Sequence, residues 1–286
     1  MERLHPIDAR SIPATLSHIA GVTPLITEAR FIGPPPDLDH PLPSIKLERL
    51  WLQNMKPDVA ARLSTHFDPK QLWLRNVQTA DLGWIGGLRR LEDLLIDWNT
   101  KLESFEFLKD VRPLRRLRAD GLKRTNRLDG LVHQPTLESL WIGGGIDRRL
   151  HLASIAPLAS LRKLEQLFLI CVQLEDASLA PLAALTRLKR LRMQTNMAPM
   201  EEYARLAGAL PNVESDALRG FKTLRRTLPP GSDLLEVIDQ LADDEQIIIV
   251  GKGGRRFKVS TDRQKIVEHL VRFRAVRDSV APAKHS

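Results

Sequence analysis

Cysteine occurs once in the chain, at Cys171, and tyrosine once, at Tyr203. A lone cysteine cannot close an internal disulfide, so the fold needs no oxidative staple and a cytoplasmic setting is expected. Aromatic residues make up only 5% of the 286 positions, five of them Trp and eight Phe. Aliphatic side chains therefore have to build the interior. No run of about eighteen apolar residues exists, which excludes a membrane-spanning helix. Glu2, Pro6, Asp8 and Pro13 interrupt the N-terminal stretch where a cleavable export signal needs an unbroken apolar run. The eight histidines are scattered, with no two at metal-ligand spacing. No phosphate-binding loop motif occurs, and the carboxylates stand apart from any histidine or serine motif. Neither an enzyme nor a cofactor is expected on these grounds.

What the chain does have is leucine at regular intervals. Residues 47–52, 91–96, 114–119, 137–142, 164–169 and 188–193 each carry an apolar residue, two variable ones, then apolar, variable, apolar. Residues 69–74 fit with Pro69 in the first place. The middle apolar positions are Leu50, Leu72, Leu94, Leu117, Leu140, Leu167 and Leu191, separated by 22, 22, 23, 23, 27 and 24 residues by subtraction. One more unit fits at residues 26–31 around Ala29, and a degenerate one around Val213, giving about eight or nine turns.

This spacing resembles the leucine-rich-repeat superfamily, in its short subclass of about 22 residues typified by the bacterial internalins. The resemblance covers roughly residues 22–217. It implies a solenoid of α/β class with a curved parallel sheet on its concave face. The family pattern also implies an asparagine three residues after the last strand leucine. Only Asn99 and Asn196 stand there, while Met55, Val77, Leu122, Gly145 and Val172 occupy the place in other repeats. Bacterial ubiquitin ligases that carry such repeats need a Cys-x-Asp motif, and Gln173 stands two residues after Cys171.

The residues themselves lead to the same architecture. Period-two alternation over a short stretch is a strand with one apolar face, and a lone strand cannot bury that face. Parallel stacking closes a continuous leucine core, with return segments such as residues 155–161 and 179–185 as short helical turns begun by Pro157 and Pro181. The widest spacing holds Gly143, Gly144 and Gly145, where a loop should protrude. Residues 1–21 should form a helical cap, with a helix over 14–20. Residues 218–286 follow a different grammar. A helix over 232–241, strands at 246–250 and 256–260 flanking a Gly-rich turn, and a helix over 262–277 make a small α+β unit that docks on the last repeat.

In a stacked array the outward residue between the second and third strand leucines forms a column on the concave face. That column reads Arg30, Trp51, Trp73, Leu95, Arg118, Trp141, Phe168 and Arg192, and it holds three of the five tryptophans. With each indole half exposed, the column would present on the order of 400 Å² of apolar surface. Arg49, Gln71, Asp93, Arg116 and Arg190 flank it on one side and Gln53, Arg75, Asp97 and Asp120 on the other. An aromatic centre with a charged rim has the composition of a protein-interface hot spot. A monomeric interaction scaffold whose protein partner sits on this face is the leading expectation. Against it stands the plainer account that the rings only steady neighbouring strands, at about 0.2–1 kcal/mol for each pair.

The net charge of +8 favours acidic partners. Residues 218–286 carry 14 basic and 9 acidic side chains, and Lys252, Arg255, Arg256 and Lys258 cluster around the Gly-rich turn. A basic unit that binds an anionic ligand or nucleic acid is the second reading. Only Phe221, Phe257 and Phe273 could stack on bases there, which weighs against nucleic acid.

Overall fold

The computed structural model describes residues 13–39, 41, 45–145, 147–224, 238 and 241–280. The alternation in each repeat becomes a strand of four to seven residues: β1 (Glu28–Ile32), β2 (Arg49–Gln53), β3 (Gln71–Arg75), β4 (Asp93–Asp97), β5 (Arg116–Leu122), β6 (Ser139–Gly144), β8 (Gln166–Ile170) and β10 (Arg190–Met193). These eight stand side by side in chain order, every pair parallel. Leu50, Leu72, Leu94, Leu117, Leu140, Leu167 and Leu191 align across the ladder and are buried. They belong to one continuous core that runs from Ile19 to Phe273. Glu214 adds a last parallel bridge to Arg190, so the degenerate turn at 213 pairs as the repeat requires.

Return segments follow from the length of the repeat. Twenty-two residues leave room for one strand and one short turn, and a 3₁₀ turn spans the gap with fewer residues than an α-helix because its rise per residue is greater. Such turns occupy Gly83–Gly87, Glu106–Asp110, Asp129–His133, Ala156–Ser160 and Ala180–Ala184, the last two with proline in their first turn as expected. One return is a full helix, α1 (Pro57–Phe67), which starts at a proline and ends at Asp68 in the left-handed region.

One expectation is corrected. Residues 14–18 are not helical; Thr15 bridges Arg30, and a 3₁₀ turn at Ile19–Gly21 is the helical piece described before β1. Asp37 holds that turn by accepting from the backbone N–H of Ile19 and Ala20, at 2.8 and 3.0 Å. In the long repeat Asp147, Arg148 and Arg149 are exposed where a loop was expected, and the residues after them make a second small parallel sheet, β7 (Leu150–Leu152) with β9 (Val172–Leu174), whose leucines enter the core. The Leu150 N–H donates to the Cys171 carbonyl at 2.7 Å, so the extra residues are folded back onto the next repeat.

Past β10, helix α2 (Met200–Ala209) covers the end of the array. The Tyr203 hydroxyl locks its start, donating to the Gln194 carbonyl at 2.6 Å and accepting from the Met197 N–H at 2.8 Å. A three-stranded antiparallel sheet follows, β11 (Phe221–Thr223), β12 (Gln246–Ile249) and β13 (Arg256–Lys258). The hairpin was expected; the third strand at Phe221 was not. Helix α3 (Val259–Asp278) packs on α2 and buries Ile266, Leu270 and Phe273 in the common core. The helix expected over 232–241 lies outside the described residues except Ile238, which is helical and buried, and Leu241. Among the described residues no helix is long and apolar enough to cross a membrane.

Candidate interaction face

The register places the column as the spacing requires. Arg30 pairs with Trp51, Trp51 with Trp73, Trp73 with Leu95, Leu95 with Arg118, Arg118 with Trp141, Trp141 with Phe168 and Phe168 with Arg192. Trp51 and Leu95, with Trp73 against them, form an apolar cluster distinct from the leucine core. All the rings therefore stand in one file on the outward side of the sheet.

The expected open patch is not there. Trp51 and Phe168 are 2% exposed and Leu95 4%, while Trp73 and Trp141 are half-buried. Parallel strands lie about 4.8 Å apart, closer than an indole is wide, so neighbouring rings tilt and cover one another. Trp51 meets Trp73 edge to face at 5.5 Å, and Trp141 stacks on Phe168 at 5.0 Å.

A polar link joins these two aromatic pairs. The Trp73 indole N–H donates to an Asp97 carboxylate oxygen at 2.8 Å. Asp97 pairs with Arg118 at 3.0 Å, and Arg118 also pairs with Asp120 at 2.8 Å. The Arg118 guanidinium lies over the Trp141 ring at 4.7 Å. Trp51, Trp73, Asp97, Arg118, Trp141 and Phe168 thus form one spine across β2 to β8. Burial pushes the Asp97 carboxyl above the usual aspartate range, against the pull of Arg118 and the Trp73 N–H. The Trp51 indole N–H is buried with no acceptor among the described residues.

Beside the spine, Arg49 pairs with Glu28, Gln71 donates to Asp93 at 3.1 Å, and Arg116 forks onto Asp93. Arg192 is exposed at the C-terminal end of the column. Across the outward strand positions seven arginines (30, 49, 75, 116, 118, 190 and 192) face four carboxylates (Glu28, Asp93, Asp97 and Asp120). Asp93 is buried and Asp97 nearly so, so their charge is spent within the sheet. Glu214, bridged to Arg190, pairs with it at 3.2 Å, so seven arginines stand against five carboxylates and an excess of two positive charges remains.

One residue on this face escaped the reading of the sequence. The repeat position that follows the outward strand residues takes left-handed backbone at Gly33, Asn54, Asn76 and Gly121, residue types that tolerate it, and also at Cys171 and at Trp98, the latter with φ of 58°. Trp98 is 56% exposed, with the Arg75 guanidinium 4.7 Å from its ring centre. Its ring lies so close over Gly121 that a Cβ there would come within 2.5 Å of it. A tryptophan among Gly, Asn and Cys in that column was the signal. The left-handed conformation costs roughly 1–2 kcal/mol for such a residue, which local packing must offset. Asn99 does what the family pattern implies, its buried amide oxygen accepting from the Thr79 and Lys101 N–H groups.

The four basic residues of the C-terminal unit separate. Lys252 and Arg255 sit on the β12–β13 turn, whereas Arg256 and Lys258 lie on β13 itself, and all four are exposed.

Neither a protein-family model nor a curated protein matches the chain. Among solved structures, internalin C2 of Listeria monocytogenes is similar over 56% of this chain and 65% of that one, at 24% identity and a TM-score of 0.44. An internalin (inlF) of the same organism covers 59% and 60%, at 18% identity and 0.44. An LRR protein of Leptospira interrogans covers 59% and 66%, at 15% and 0.29. The chain spans less than two thirds of the length of each. Its own repeat and eight parallel strands in chain order define the architecture, which is that of a leucine-rich-repeat solenoid.

Proposed function

We propose that the protein is an interaction scaffold that receives an acidic protein partner on the outward face of the eight-stranded sheet, in the cytoplasm as its single cysteine suggests. The observation that carries this reading is Trp98: a large apolar side chain, exposed, in costly backbone, and flanked by Arg75. Exposed Trp beside Arg is the pairing enriched at interface hot spots. The self-packed spine behind it supplies a rigid platform, so a partner meets pre-ordered Trp73, Trp141, Arg75 and Arg192 at little entropic cost. The surplus of arginine over carboxylate fits a partner of opposite sign and supports faster encounter at low salt.

Affinity capture with the intact protein tests this. Arg75→Glu combined with Arg192→Glu should abolish recovery of a protein that the unaltered chain retains. Lys109→Glu with Lys163→Glu, an equal charge change on exposed residues of the return side, should leave recovery unchanged. Equal recovery with both variants would remove the proposal.

A further inference from the structure

A cleft of about 690 Å³ opens between the start of α2, the β12–β13 turn and one face of α3. It lies in the C-terminal unit, and its lining includes no residue of the outward strand face. Six charged side chains line it: Lys252 and Arg255 from the turn, Lys265, Glu268 and Arg272 from α3, and Glu201 from α2. Four cations against two carboxylates leave an excess of two positive charges. Arg272 is paired with Glu201, and Lys265 with Asp262 at 3.2 Å. Lys252 and Arg255 make no ion pair among the described residues. His269 adds no charge near neutral pH, since burial holds its pKa below the ordinary imidazole value while its Nε2 lies 3.0 Å from the Gly220 carbonyl.

The remaining wall is apolar. Alternation along β13 turns Phe257 into the cleft, where Ile249 and Met200 also stand, while Arg256 and Lys258 are not among its lining residues. The turn is fixed rather than loose: the Gly251 N–H donates to the Thr195 carbonyl at 2.7 Å, and the Gly254 N–H to the Gly251 carbonyl at 3.0 Å. Two unpaired cations are thereby held at the mouth of a partly apolar hollow.

We propose that this cleft binds a small phosphate monoester with a planar or apolar body, of about the size of a nucleoside monophosphate. A phosphate monoester carries about −1.5 to −2 charges near pH 7, which Lys252 and Arg255, the two lining cations without an ion pair among the described residues, can meet. Lysine offers it a point charge and arginine a planar fork for two oxygens. Phe257, Ile249 and Met200 provide the surface that the body of the ligand covers, and the volume falls within the range of about 300–1,000 Å³ usual for small-molecule sites.

Calorimetric titration of the intact protein with AMP, adenosine and inorganic phosphate tests the assignment. AMP should saturate a single site, with adenosine and phosphate each at least about tenfold weaker. Lys252→Gln with Arg255→Gln should weaken AMP by about tenfold or more, while Arg256→Gln with Lys258→Gln, the same loss of charge outside the cleft, should change it less than about twofold. Both variants should keep the unaltered unfolding midpoint, because all four side chains are exposed. An absence of saturation, equal weakening by both variants, or adenosine or phosphate binding as tightly as AMP would overturn the proposal. So would a short RNA that binds more tightly than AMP and loses affinity equally in both variants, since that marks a diffuse basic surface.

Discussion

Trp51 and Trp98 are both tryptophans on one face, yet physics gives them opposite roles. Trp51 is enclosed by its neighbours, so Trp51→Ala leaves a void and should lower stability by about 3 kcal/mol, read as a fall in the urea unfolding midpoint. Trp98 stands in solvent in left-handed backbone. Trp98→Gly removes that conformational cost while giving up the Arg75 contact, so the midpoint should move by less than about 1 kcal/mol. A large loss at Trp98 and none at Trp51 would invert the assignment. The acidic group in the spine adds a pH signature. Burial raises the Asp97 pKa in the folded chain above its ordinary value of 3.8, so folding tightens its hold on the proton. The stability it contributes is full below the unfolded pKa and is lost as pH rises through the folded one. The stability of the unaltered protein relative to Asp97→Asn should therefore decline as pH rises from the ordinary aspartate range through the raised value. A difference that stays flat or grows would show that Arg118, the Trp73 N–H and Arg75 outweigh burial. The positions of Trp51 and Asp97 were legible in the sequence, because a fixed repeat dictates the register, whereas Trp98, just past its strand, falls outside the strand pattern. Their exposure was not, because it depends on how each ring tilts against the next strand.

Single elements in this chain are held by stacking rather than by their own hydrogen bonds. A turn of five residues has little independent stability, and the turn at Asp129–His133 rests directly on the one before it. A Cβ on Gly130 would come within 1.9 Å of the Phe105 carbonyl oxygen, so only glycine permits that approach. Gly130→Ala must push the two turns apart and should cost about 1–3 kcal/mol in unfolding experiments, with the parallel sheet retained by circular dichroism. An unchanged midpoint would show that the turns are not packed as described. Strands were readable because their period repeats seven or more times, and the two proline-led turns because Pro157 and Pro181 mark their starts. The first cap was misread because Ala14, Leu16, Ile19 and Ala20 can be arranged on a helix, yet Thr15 gains a strand bridge to Arg30 instead. Strand β11 was missed because its three residues carry too little pattern, and 22 residues separate it from its partner β12.

At the scale of the molecule the core is one body. Leu191 at the last strand, Tyr203 on α2 and Phe273 on α3 belong to the same buried cluster as Leu50. Repeat arrays couple only nearest neighbours, but a continuous core without a break should make unfolding cooperative from end to end. All five tryptophans lie between residues 51 and 141, whereas α2 and α3 follow residue 199. Tryptophan fluorescence and far-ultraviolet circular dichroism therefore report different ends, and their urea transitions should coincide. Separate midpoints would show that the C-terminal unit is only loosely joined. The outward face is likewise a property of the whole, since its charge excess and its aromatic spine exist only when successive repeats stack. The most direct test of its role is photocrosslinking from the intact protein, with a reactive benzophenone side chain placed at Trp98, at Arg192, or at Lys163 on the return side. Covalent adducts with one and the same protein from positions 98 and 192, and none from 163, are the predicted result. Adducts from 163 alone, or none from 98 and 192, would contradict the assignment of this face.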